Sequence, residues 1–225
     1  MEIFYSVVRF FTAGGLFMLP ILAVGAVGTA IALERYITIT RMRAKNRALW
    51  AEVEPVINAG EFDKAREITG KSETALSRLL GAGLEMQGAV RRRDDVKEAM
   101  QESMMEILPQ LEKRTHYLAT FANLATLLGL LGTVSGLIHA FSAVSTANPA
   151  EKANLLSASI SEAMNCTAFG LMVAVPMLFV HAFLQTKSSQ MIDGLETAAI
   201  KFLNSLTKRA TAKVLAARIE PARAA

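Results

Sequence analysis

THYLATFANLATLLGLLGTVSGLIHAFSAVSTANPA, residues 115–150, contains no Asp, Glu, Lys or Arg. AMNCTAFGLMVAVPMLFVHAFLQT, residues 163–186, is also uncharged, and Glu162 stands directly before it. A helix needs roughly 20 apolar residues to cross the hydrocarbon of a bilayer. Both runs are long enough, and Asn148-Pro149 between them is a turn signal. They read as an antiparallel pair of spanning helices, about Tyr117–Val144 and Ala153–Leu184, with Pro176 inside the second. A third uncharged run, Phe10–Leu33, lies near the start of the chain.

The expected fold class is an all-α integral membrane protein with three transmembrane helices, long helices extending into the cytoplasm and a helical cytoplasmic insert. The positive mean hydropathy of the 225 residues agrees with that class. The first run is too long for a signal-peptide core, and Glu2 and Arg9 make its leading region barely basic, so it is expected to be retained. It spans about Gly14–Leu33, with Pro20 inside and with Gly25 and Gly28 offering a small-residue face for a close helix neighbour. Residues 1–9 read as an amphipathic lead-in. Phe4, Tyr5, Phe10 and Phe11 suit a membrane interface. The single Cys, Cys166, excludes an internal disulfide.

The expected organisation is an outer N-terminus and first span over 1–33, a cytoplasmic helical segment over 34–114, a hairpin of two spans over 115–186, and a cytoplasmic helix and tail over 187–225. Segment 34–114 carries 15 Lys+Arg and 14 Asp+Glu, so it is dense in charge and nearly neutral. Glu34-Arg35-Tyr36 closes the first span. Trp50, Val53 and Val56-Ile57 indicate a helix ending near Asn58-Ala59-Gly60. Helices are expected at 61–69 and 73–88. A longer one starts near Asp94 and runs through Met100, Met104, Ile107 and Leu111 into the second span, with a kink at Pro109. After Lys187 a polar helix follows, and the Ala- and Arg-rich tail from Ala210 is expected to fray.

Arg91-Arg92-Arg93 precedes Asp94, Asp95 and Glu98, which reads as a solvated, salt-bridged helix start. Anionic lipid headgroups are a second use for it. The segment has no basic excess for nucleic acid. Near the membrane, one side has Arg9 and Lys152, whereas the other has ten Lys and Arg residues. The positive-inside rule places the richer side in the cytoplasm, so the N-terminus and the 145–152 turn face out.

Two readings stand for Glu162. If the third span begins near Ala153, Glu162 lies roughly 13 Å along it at 1.5 Å per residue, where an acid marks an ion path. If the hydrocarbon begins at Ala163, Glu162 is an interfacial acid near a helix N-terminus. Gly129, Gly132, Thr133 and Gly136 fall within about 100° on one helix, and Gly132/Gly136 form a GxxxG pair. Thr126 and Thr133 share a face. Glu162, Cys166, Gly170 and Ala174 form an i+4 stripe with Thr167 beside it. Hydroxyls there either line a narrow pore or join helices. His139 and His181 lie in spans and His116 at the inner interface, without metal-binding spacing; each reads as packing or capping. Asn123 and Asn165 could bond across helices. No nucleotide loop, nucleophile triad or metal cluster is visible, and Gly81-Ala82-Gly83 lacks the following Gly-Lys-Ser/Thr of a phosphate loop. The chain is expected to be no enzyme and to need no metal or cofactor.

Two blocks resemble the ExbB/TolQ/MotA proton-channel family of bacterial inner membranes. Gly129-Leu130-Leu131-Gly132-Thr133-Val134-Ser135-Gly136-Leu137 is similar to its GLxGTVxG block. Ile160-Ser161-Glu162-Ala163, Thr167-Ala168-Phe169-Gly170-Leu171 and Ala174-Val175-Pro176 are similar to its IxEAL…TAxGLxxAxP block. The close resemblance covers about residues 105–190. Three spans resemble the ExbB and TolQ branch more than MotA, which has four. Ser135 replaces a frequent aromatic residue, and Asn165-Cys166 replaces small apolar residues.

The resemblance implies that Thr133 and Thr167 line a pore with Glu162 near its outer entrance. Gly129, Gly132, Gly136 and Gly170 are expected, from their spacing, to pack the helices. It also implies a homopentamer around two copies of an ExbD/TolR-like single-span protein whose membrane Asp carries the proton. This chain has no Asp in its uncharged runs. The implied function is a stator that converts proton motive force into mechanical work, with a TonB/TolA-like or motility partner and membrane lipids around it. The powered process, whether nutrient uptake, envelope constriction or gliding, is left open. A non-conducting membrane scaffold is the alternative from another class. A small-solute carrier fits less well, since no inverted repeat is visible.

Overall fold

The computed structural model describes residues 14–89 and 93–223. Six helices and no strand occupy the described residues: α1 Met18–Ala59, α2 Phe62–Gly70, α3 Ala75–Ala89, α4 Arg93–Glu112, α5 Thr115–Thr146 and α6 Lys152–Arg223. Three helical stretches, Met18–Ala59, Arg93–Thr146 and Lys152–Lys208, are long and apolar enough to cross a membrane. The fold class read from the uncharged runs is therefore the one observed. The lead-in 1–9, the aromatics Phe10 and Phe11, and Arg91 and Arg92 lie outside the described residues.

Two local expectations change, at Arg114 and in the tail. The first span runs on into the following polar helix as one 42-residue helix, α1, in keeping with the expected long helices, because Glu34-Arg35-Tyr36 carries charge but no helix breaker. Pro20 sits in its first turn, where a missing N–H costs little. The helix expected to run unbroken from Asp94 into the second span is divided at Lys113-Arg114 rather than kinked at Pro109. Arg114 adopts φ 63, a left-handed conformation that ends α4 and starts α5. The Ala- and Arg-rich tail is helical to Arg223, in keeping with the high helix propensity of both residue types.

The chain forms two compact units, dividing at Tyr36/Ile37, Lys113/Arg114 and Gln185/Thr186. The first unit holds residues 14–36 with Arg114–Gln185. The second holds Ile37–Lys113 with residues 186–223.

In the first unit the helices meet through small residues. A Cβ on Gly25 would lie 3.1 Å from Val173 Cγ1, and one on Gly28 would overlap the Met177 side chain. The face suggested by Gly25 and Gly28 therefore packs against α6. α5 meets α6 through Ala125, Gly129, Gly132 and Gly136. Backbones that approach this closely gain van der Waals contact, the main attraction between helices when lipid rather than water surrounds them. At the start of α5, Arg114 Nη1 donates to both carboxylate oxygens of Glu34, at 2.7 and 2.8 Å.

The second unit has a conventional apolar core of Leu79, Leu80, Leu84, Met100, Leu195 and Phe202, with further buried residues around them. Phe202 is fully buried and meets Phe62 edge-on at 6.1 Å between ring centres. Asn46 Oδ1 accepts from the Leu76 N–H (3.3 Å) and Thr74 Oγ1 from the Ser77 N–H (3.1 Å), which caps α3. Lys201 pairs with Glu54 at 2.7 Å and lies 5.4 Å from the centre of the Trp50 ring. Arg93, the described member of the arginine run, starts α4 with Asp94 and Asp95 in its first turn, and its Nη2 donates to Asn204 Oδ1 at 3.3 Å.

Candidate functional site

The site is the α5–α6 hairpin with the beginning of α1. Its contacts run in antiparallel order: Gly136 against Ala163, Gly132 against Cys166, Gly129 against Thr167 and Gly170, and Ala125 against Gly170. The closest approach to backbone is at Gly170, where a Cβ would lie 2.7 Å from the Ala125 carbonyl oxygen and 3.1 Å from Gly129 Cα. A Cβ on Gly129 would meet Thr167 Cα at 3.2 Å, and one on Gly136 would meet Ala163 Cβ at 2.8 Å. At Gly132 an added carbon would overlap Cys166 Sγ and lie 3.4 Å from Phe17 Cβ, so all three helices converge there. At each of these four glycines, α5 and α6 are in close contact. Cys166 is buried in the same seam, filling the space that Gly132 leaves.

The two threonines are half-buried beside this seam and use their hydroxyls differently. Thr167 Oγ1 donates to the Gly129 carbonyl across the helices at 2.8 Å. Thr133 Oγ1 donates within its own helix to the Leu130 carbonyl at 2.6 Å. Thr126 bonds back to the Ala122 carbonyl at 3.1 Å. A hydroxyl that donates to a carbonyl keeps its own lone pairs open to accept a hydrogen bond from water or a partner group.

Glu162 is exposed on α6 and lies toward α1: a Cβ on Gly15 would overlap its Oε1 and lie 3.0 Å from its Cδ. Thr167 is five residues further on, about 7.5 Å along the axis and roughly 140° around it. The three expected site residues therefore do not form one cluster. Thr133 and Thr167 flank the α5–α6 seam, whereas Glu162 sits where α6 meets the start of α1. Gly15 was not singled out in the sequence. Its signal was the Gly14-Gly15 pair just before the first helix, which permits the φ of 74 found there.

His139 Nδ1 lies 2.8 Å from the Ser135 carbonyl, and since a carbonyl only accepts, Nδ1 carries the hydrogen. The ring is held by its own helix.

The outward faces of the hairpin are strongly apolar. Leu130, Ile138 and Phe141 on α5, and Val175 and Phe179 on α6, are exposed, Phe179 at 75%. Lipid tails or other membrane helices must cover such faces.

Residues 71–197 match the model of the MotA/TolQ/ExbB proton channel family. The chain is 27% identical over 196 residues to a putative biopolymer transport protein ExbB homolog of Methanothermobacter thermautotrophicus, covering 86% of this chain and 68% of that protein. It is 31% identical over 188 residues to the putative biopolymer transport protein ExbB-like 1 of Synechocystis, covering 81% and 72%. A Tol-Pal system protein TolQ of Haemophilus influenzae is 33% identical over 109 residues, covering 48% and 46%. The matched region contains the whole glycine seam, both threonines and Glu162, and on this footing the chain belongs to the MotA/TolQ/ExbB proton channel family.

Proposed function

We propose that the chain is the channel-forming stator subunit of an inner-membrane motor. It couples proton motive force to mechanical work through a single-span partner of the ExbD/TolR kind, with a TonB/TolA-like or motility protein receiving the output. Copies of the hairpin pack side by side as a homopentamer around two partner helices. Thr133 and Thr167 line the path, Glu162 stands near its outer entrance, and the N-terminus faces outward. The observation that supports this most is that both threonines and Glu162 lie on one hairpin inside the family-matched region, a hairpin whose other charged residues are Glu151 and Lys152 at the turn, while no Asp occurs anywhere in 115–186. The proton-carrying acid is then supplied by the partner. A proton crossing 100 mV releases about 2.3 kcal/mol, the scale of work available per step.

The scaffold reading is favoured by one observation, the Thr167 hydroxyl bonded to the Gly129 carbonyl, which is also what helix glue would do. Glu162→Gln separates the two. The complex is purified from host membranes through a tag on the full chain and reconstituted in liposomes, and proton uptake is driven by an imposed potential. A channel subunit assembles but loses uptake. Uptake at the unmodified rate in this variant, and in Thr133→Val, contradicts the ion path.

A further inference from the structure

We propose that Gly15 is a positioning residue for Glu162: its bare backbone is the seat that holds the Glu162 carboxylate at the junction of α1 and α6. The inference rests on the ion-path reading of Glu162 and extends it to a residue just ahead of a different helix, 147 positions away in sequence.

Two independent features of Gly15 make the seat. The first is space. Any side chain at position 15 would place its first carbon on Glu162 Oε1, 3.0 Å from Cδ and 3.3 Å from Cγ. The overlap with Oε1 is one that real Cβ atoms do not make, so the exposed Glu162 side chain would have to shift its carboxylate. The second is conformation. Gly15 has φ 74, where L-residues are strained and glycine is not. That turn directs the chain into the first turn of α1, with the Met18 N–H bonded to the Gly15 carbonyl at 3.3 Å. Two residues on, Phe17 reaches the Gly132–Cys166 contact. Phe17 thus sets the approach to α1 beside both hairpin helices and leaves Gly15 next to Glu162. A carboxylate lying in that opening depends on position 15 staying bare, and proton transfer is sensitive to sub-ångström placement of the group concerned.

Position 15 differs from an ordinary packing glycine in its dependence on the length of the acid at position 162. Gly15→Ala pushes the carboxylate off its seat, and proton uptake by the reconstituted complex falls about tenfold, the scale expected of a misplacement under 1 Å. Glu162→Asp, one methylene shorter, makes room for the added methyl. Gly15→Ala/Glu162→Asp therefore regains uptake over Gly15→Ala alone, although backbone strain at position 15 is the same in both. Equal loss in the single and double variants, or wild-type uptake in Gly15→Ala, overturns the positioning role.

Geometry is tested without conduction. In a Cys166→Ala background, the pair Gly15→Cys and Glu162→Cys forms a disulfide in full-length protein in membranes under mild oxidation, whereas Gly15→Cys with Thr167→Cys does not. Absence of the first cross-link overturns the seat itself, whatever the conduction result. A formed cross-link with unimpaired uptake in Glu162→Gln overturns the ion-path reading, and the positioning role with it.

Discussion

Thr167 Oγ1 reaches across the hairpin to the Gly129 carbonyl at 2.8 Å, at the level where Gly129 and Gly170 bring the two backbones together. The bond and the glycine contact depend on each other, since only the small residue on each side lets the hydroxyl span the gap. Thr167→Val removes the bond at nearly constant volume. It is expected to destabilise the hairpin by about 0.6 kcal/mol, the mean for such bonds in membranes. Thr167→Ser keeps the donor and should restore stability, measured by thermal unfolding in detergent. If proton uptake follows stability across the pair, the hydroxyl acts as glue. The expected result is a loss of uptake in the Val variant far larger than its small loss of stability, with recovery in Ser.

The glycines differ in how much a methyl would cost, and the order can be stated. Gly170→Ala meets the backbone at Ala125 and Gly129, which cannot move without shifting a helix, so an overpacking penalty of about 1–3 kcal/mol is expected. Gly129→Ala has a few tenths of an ångström more room and should cost less. Gly132→Ala meets a side chain instead, Cys166 Sγ. Adding Cys166→Ala should therefore rescue Gly132→Ala and leave Gly170→Ala unrescued. Thermal stability and the fraction of assembled oligomer on sizing read all three.

These contacts mark how far the sequence could be followed. The three spans were visible because long uncharged runs have few other uses, and the glycine seam because helical periodicity alone puts Gly129, Gly132 and Gly136 on one side. The place of Gly15 was not visible, since it depends on where α1 docks against α6 and no periodicity within either helix encodes that. Asn46 looked like one more polar residue in a charged helix, yet its Oδ1 caps Leu76, thirty residues away. The break at Arg114 was hidden for a different reason. Lys113-Arg114 has good helix propensity and no glycine, so local preference favoured continuation where the fold requires a turn.

That turn yields a third prediction. Arg114 is a non-glycine residue at φ 63, a conformation that costs roughly 1–2 kcal/mol. Its side chain, about half exposed, forms a two-oxygen ion pair with Glu34, and exposed pairs of this kind contribute about 0.2–1 kcal/mol. Arg114→Gly relieves the strain and loses the pair, so its net effect on stability should be near zero or favourable. Arg114→Ala loses the pair without relieving the strain and should be less stable than both. Glu34→Gln isolates the pair and should cost less than 1 kcal/mol. Thermal unfolding of the purified full chain ranks the three, and high salt should shrink the Glu34→Gln difference.

The second unit should respond to core truncation independently of the glycine seam. Phe202 is fully buried, packs edge-on against Phe62, and lies where a Cβ on Gly83 would come within 2.7 Å of its ring. The ring therefore fills a space bounded on one side by a residue with no side chain to collapse inward. Phe202→Ala should leave a cavity costing about 3–5 kcal/mol. Phe202→Leu retains much of the volume and should cost far less. Limited proteolysis of the full chain in membranes reads this directly. Cleavage within 61–112 should rise steeply in Phe202→Ala, while the hairpin residues 115–184 stay protected. Equal protection of 61–112 in both variants would show that Phe202 is not what holds these helices together.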